Sequence, residues 1–147
     1  MTRACALLLV LGGCCNPPGP DVAEKFRAER RAVEAAMAAR ARVVDLSDPV
    51  HEYRAPSGVC PDDALGCCNT GWCAGIFVPD RNIKLAGGAT EGATLLPADV
   101  ALHEYTHRAL LDCGLQPGPE EHPQIFWETL NAARRMREQE SSRQVME

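Results

Sequence analysis

Residues 103–107 read His-Glu-Tyr-Thr-His, an HExxH pattern inside a segment with the marks of a helix. A helix turns once in about 3.6 residues, so positions four apart stack on one face. His103 and His107 therefore aim two imidazoles at one point, where a metal ion could sit between them. Glu104 lies beside that point as a carboxylate able to take a proton from water. Two histidines plus an adjacent glutamate are the chemistry of zinc-dependent hydrolysis. The surrounding residues support the helix. Pro97 suits a first helical position, Asp99 places negative charge in the first turn, and Gly114 follows Cys113 as a C-terminal cap. Val100, Leu110 and Leu111 are expected to face a core.

A catalytic zinc site needs a third protein ligand and an open fourth position. Downstream candidates are Glu120, Glu121, His122 and Glu128. Pro123 suits the start of another helix, which puts His122 at its N-terminal boundary, where the ring can swing back toward the first helix. The linker 115–121, Leu-Gln-Pro-Gly-Pro-Glu-Glu, is short and turn-rich. Two antiparallel helices would then carry His103, His107 and His122, with Glu128 as the rival third ligand.

HExxH, a short linker, and then His122 followed by Phe126 and Trp127 resemble the SprT-like branch of small gluzincin metallopeptidases. The resemblance covers residues 97–130, about a quarter of the chain. It implies a zincin-like fold, zinc held by His103, His107 and His122, Glu104 as general base, and an aromatic pair packing the second helix on the first. It implies a peptide or protein substrate. Tyr105 and Thr106 depart from the small or aliphatic residues usual in that family, as does a linker with two prolines and two acids. Oxyanion stabilisation needs a donor beyond the metal. His51, Tyr53 and Tyr105 are the candidates, and Tyr105 is expected to point into the core. A second reading of the same residues is a non-catalytic envelope lipoprotein that binds zinc structurally or binds a partner. Glu104 separates the two, because a structural site does not need it.

Arg3 followed by the apolar run 4–11 and Gly12-Gly13 forms an export signal too short to span a bilayer. Leu11-Gly12-Gly13-Cys14 looks like a bacterial lipobox, implying cleavage before Cys14 and lipidation of its thiol. Acyl chains contribute roughly 0.8 kcal/mol per buried CH₂, so several of them anchor firmly. The expected organisation is a signal peptide over 1–13, a Pro-rich tether over 14–20 and one domain over 21–147. The expected location is the extracytoplasmic side of a bacterial cell envelope, on the membrane through the lipid, as a monomer.

Cysteine usage fits export. Of eight cysteines, Cys5 leaves with the signal and Cys14 takes lipid, leaving Cys15, Cys60, Cys67, Cys68, Cys73 and Cys113 as possible disulfide partners. Adjacent Cys67 and Cys68 are not expected to bond to each other. Cys113 is the natural partner for one of them. No CxxC pair supports a second zinc site. The net charge is −5, or −6 without Arg3, and argues against nucleic acid as a partner.

The elements that must position the site read as an α+β domain. A helix is expected from Asp21 to about Arg42, with Asp21 as N-cap, Glu24 completing a capping box, and Val22, Phe26, Val33 and Met37 as its apolar stripe. Strands are expected at 42–46, 51–53, 74–78 and 82–86, the last two joined by the turn 79–81. Residues 56–75 read as a cysteine-bearing loop and 87–94 as a flexible connection. The strand 83–86 is expected along the cleft, its edge open to an extended peptide.

Overall fold

The computed structural model describes residues 19–54, 60, 65–69, 74–118 and 121–147. The signal segment, Cys14, Cys15, Cys73 and Glu120 lie outside the described residues. A 3-10 turn over Ala23–Phe26 runs straight into helix α1, Arg27–Ala38. The expected stripe is the buried one: Phe26, Val33 and Met37 join the core and Val22 packs against it. The helix stops at Ala38 rather than Arg42. Ala41 adopts φ 58°, and the Arg42 N–H returns 3.0 Å to the Met37 carbonyl, a closure that satisfies a terminal carbonyl. Asp21 does not cap α1. Its Oδ1 accepts from the Ala23 N–H at 2.9 Å and the Val50 N–H at 3.0 Å, tying the entering chain to the sheet. Those two bonds hold the Asp21 carboxyl below its usual range. Glu24 pairs with Arg27 at 2.7 Å instead of closing a capping box.

Three strands form the main sheet in the order β1-β3-β2: β1 Val50–Tyr53, β2 Cys67–Asn69 and β3 Gly75–Pro79. β3 is central, buried along its whole length, parallel to β1 and antiparallel to β2. An unbroken apolar strand such as Gly-Ile-Phe-Val-Pro suits a position covered on both faces. Segment 42–46 is not a strand. Among the described residues it pairs with no strand, and it runs irregularly, with Leu46 inserted in the core and Val43 left exposed.

The expected hairpin between 74–78 and 82–86 is also absent. The Asp80 N–H bonds to the Tyr53 carbonyl at 2.9 Å, which prolongs the pairing with β1 and leads the chain away from β3. β4 is only Ile83–Lys84, and it pairs antiparallel with β5, Thr94–Leu95, in a separate small sheet. The connection between them contains a 3-10 turn at Gly88–Thr90 and bonds both ways between its ends, Leu85 N–H to Ala93 carbonyl and Gly92 N–H to Leu85 carbonyl, each 2.9 Å.

Helix α2, Pro97–Asp112, carries the HExxH residues and is the hub. Nine of its residues are buried on several faces, as expected for a helix packed all round. It lies against α1, β2, β3 and α3, Gln124–Met146. Arg137 of α3 reaches Asp99 of α2 at 2.9 Å and Glu29 of α1 at 3.4 Å, so one guanidinium joins the three helices. The fold is α+β, as the sequence indicated. Among the described residues, no helix is long and apolar enough to cross a membrane.

Candidate metal centre

His103 and His107 project from one face of α2, and His122 enters from the segment just before α3. Their Nε2 atoms form a small triangle: His103 to His107 3.1 Å, His107 to His122 3.2 Å, and His103 to His122 3.0 Å. Hydrogen bonds cannot satisfy all three sides, because a nitrogen carrying a proton has no lone pair left to accept. A cation at the centre can. Ligands about 2.0–2.1 Å from a tetrahedral zinc ion lie roughly 3.3 Å apart, close to the spacing found here. The donor set therefore fits a metal ion, and His103, His107 and His122 form the group able to hold one.

The electrostatics suit the same role. Burial pushes His103 down to about 3, helped by the neighbouring His107 and His122 and by Arg134. Burial pushes His107 down to about 4, against an opposing hydrogen bond from Gln116. Both imidazoles are neutral near pH 7, with lone pairs to give. Phe126 is fully buried beneath the triangle, its ring centroid 4.8 Å from His103, 4.2 Å from His107 and 4.6 Å from His122. Trp127 stacks on His122 at 5.3 Å with 47% of its surface exposed. Both aromatic rings thus pack on the imidazoles, and Phe126 also joins the core between the helices.

Glu104, next to His103 on α2, is buried and is not a member of the cluster, and burial raises its carboxyl to about 8. The chain at Gly66 passes so close that an added Cβ would fall 2.3 Å from Val100 Cγ1, 2.9 Å from the Phe77 carbonyl and 3.3 Å from Glu104 Oε1. Only glycine leaves β2 room to lie against α2 at the base. β2, an edge strand of the main sheet, thus lies against α2 beside Glu104. The strand expected at 83–86 is shortened to Ile83–Lys84 and pairs in the second sheet.

The remaining candidates separate cleanly. Glu128 is bound by Arg40 at 2.9 Å and Gln124 at 2.8 Å, so the rival third ligand is engaged elsewhere. Glu121 is exposed and outside the cluster. His51 is buried, its Nδ1 2.7 Å from the Gly19 carbonyl and its ring against Phe77, so it serves the entering chain and not the cluster. Tyr105 points into the core, fully buried, and among the described residues its hydroxyl has no hydrogen-bond partner. Thr106 turns its hydroxyl back to the Leu102 carbonyl at 2.8 Å. Tyr53 is the oxyanion-donor candidate that senses the Glu104 charge. Burial first, then that charge, raises its hydroxyl above the usual range.

Cys60 and Cys67 form a disulfide. Cys68 and Cys113 are free thiols, so the bond expected between Cys113 and the 67–68 pair is not made. Cys67 and Cys68 point to opposite faces of β2, which gives one to the loop and buries the other. Burial, then the Glu104 charge, pushes the Cys68 thiol up to about 12, which keeps it an inert core group.

Sequence reasoning missed Gly66 and Gln116. Gln116 is 4% exposed and sits against His107 Nδ1, with its Oε1 at 3.0 Å and its Nε2 at 2.8 Å. Its position in the linker was visible, but no periodicity marks a residue that acts from a turn. No protein-family model, curated protein or solved structure matches the chain.

Proposed function

We propose that the chain is a zinc-dependent metallopeptidase similar to the SprT-like gluzincins, exported and anchored by lipid on Cys14. The observation that carries this reading is the pairing of three convergent Nε2 atoms with a buried carboxylate that is not one of them. A purely structural zinc site is usually closed by four protein ligands and has no use for such a base.

His103, His107 and His122 hold the ion. When bound, zinc acidifies water and polarises a carbonyl oxygen. Glu104 takes the proton of the attacking water and passes it to the departing amine. Positive charge at the cluster would favour its ionised form, the one that accepts a proton. Phe126 excludes water from beneath the ligands, and Tyr53 is the side chain assigned to stabilise the developing oxyanion. The substrate is a peptide or an unfolded envelope protein.

The test is cleavage of an unfolded protein by the purified chain, with and without a chelator. Activity should vanish with the metal. Glu104→Gln should lower it by about 10²–10⁴, the range for loss of a general base, while zinc content stays the same. Zinc retained without cleavage of any unfolded substrate would favour the non-catalytic lipoprotein instead.

A further inference from the structure

A neutral imidazole carries one proton on one of two nitrogens, and only the bare nitrogen can bind a metal. A ligand His therefore needs a partner that keeps the proton on its other side. His107 turns Nε2 into the cluster and Nδ1 toward Gln116. The Gln116 amide nitrogen donates to the Gly118 carbonyl. The same nitrogen also lies 2.8 Å from His107 Nδ1, but the Nδ1–H that a metal-binding His107 must carry needs an acceptor, and the amide oxygen, 3.0 Å away, is the acceptor Gln116 offers. Gln116 is 4% exposed, so water cannot readily substitute for it. The Gly118 carbonyl also accepts the Glu121 N–H at 3.4 Å, within the turn that leads to His122. One buried amide thus joins a residue of α2 to the backbone that delivers the third imidazole.

We propose that Gln116 is the positioning residue of the metal centre. It holds His107 as the Nδ1–H tautomer, with the Nε2 lone pair facing the ion, and it fixes the linker so that His122 arrives at the same point. The role needs an acceptor and a donor on one side chain. Glutamate keeps the acceptor and loses the donor. Leucine, of similar size, loses both. The proposal rests on the metal-site reading above, and its test separates the two.

The full-length chain, labelled with ¹⁵N and stripped of metal, is examined by long-range proton–nitrogen correlation of its imidazoles near pH 7. The wild-type His107 should carry its proton on Nδ1, and Gln116→Leu should move proton population to Nε2. Zinc affinity is measured by competition with a chelating dye. Loss of such an outer partner typically costs about 10–100-fold, so Gln116→Leu should weaken zinc by that factor. Gln116→Glu should stay within about tenfold of wild type, since its carboxylate still accepts from Nδ1–H. A residue that merely filled space would give the reverse order, with leucine tolerated and a buried carboxylate harmful. That order, or an Nε2–H tautomer in the wild type, overturns the proposal. If Gln116→Leu does not fold, the wild-type tautomer and the Gln116→Glu affinity still decide. A wild-type chain with the Nδ1–H tautomer but no affinity for zinc overturns the metal site itself. Zinc binding indifferent to Gln116→Leu overturns Gln116 alone.

Discussion

Replacing Glu104, the proposed general base, should make the metal-free fold more stable, and the gain should depend on pH. Burial raises the Glu104 carboxyl to about 8 from an ordinary 4.5. Between those values the folded chain keeps a proton that the unfolded chain has lost. Stability is greater when the folded state binds the extra proton, and that advantage is spent as pH climbs through the window. Each pH unit costs about 1.4 kcal/mol, so the full shift is worth on the order of 4–5 kcal/mol. Glutamine has the same shape and no proton to lose. Glu104→Gln and wild type should match in stability near pH 4, apart from a constant offset. They should then diverge steadily and reach a plateau above pH 8, with the variant the more stable. A small domain has only about 5–15 kcal/mol in total, so the effect should be plain in urea unfolding at a series of pH values with chelator present. Saturating zinc should shrink the difference, because positive charge beside the carboxylate favours its ionised form. A gap that does not change between pH 5 and 9 would show that burial does not hold a proton on Glu104.

Three further outcomes are expected. His122→Ala should lose bound zinc in metal analysis while Glu128→Ala keeps it, because Glu128 is occupied by Arg40 and Gln124; full retention in His122→Ala refutes the ligand assignment. Mass spectrometry of the mature N-terminus should find Cys14 acylated, and an unmodified Cys14 or cleavage at another bond refutes the anchor. Phe126→Ala should destabilise the fold by about 3–5 kcal/mol, the usual cost of emptying a fully buried aromatic site, and should weaken zinc as the three rings lose their floor. Unfolding curves and dye competition check both halves, and an effect on neither removes Phe126 from the site.

The parts of the site governed by local rules were legible in the sequence. Helical spacing alone places His103 above His107, and Pro97 and Gly114 bracket α2 where the structure does. His122 became readable because Pro123 marks a helix start and the linker is short enough to reverse the chain. The apolar stripe of α1 was legible for the same reason. The errors fall where long-range partners decide. Val43 and Val44 favour a strand, yet among the described residues no neighbour pairs with 42–46, which stays irregular. Ile83 and Lys84 form a strand, but their partner is Thr94–Leu95, since a backbone bond from Asp80 to Tyr53 diverts the chain from β3. Cys-Cys-Asn hardly looks like a strand, and becomes one because Phe77 and Ile76 lie beside it. Gly66 and Gln116 act through atoms distant in sequence or tucked in a turn, and composition carries no trace of that.

The latch at the start of the domain limits where such an enzyme could work. His51 holds the Gly19 carbonyl, and the Val22 N–H bonds to the Val50 carbonyl at 2.8 Å, so the chain is fastened to the sheet as soon as it arrives. Gly19 lies only five positions after Cys14. A chain spans at most about 3.6 Å per residue, so a lipid on Cys14 leaves the fastening point no more than about 18 Å of leash. Diffusion is then confined to a thin layer, with encounters counted per area of membrane instead of per volume of fluid. On the lipid-anchored reading proposed above, proteins that meet this chain would themselves lie at the bilayer surface or emerge through it.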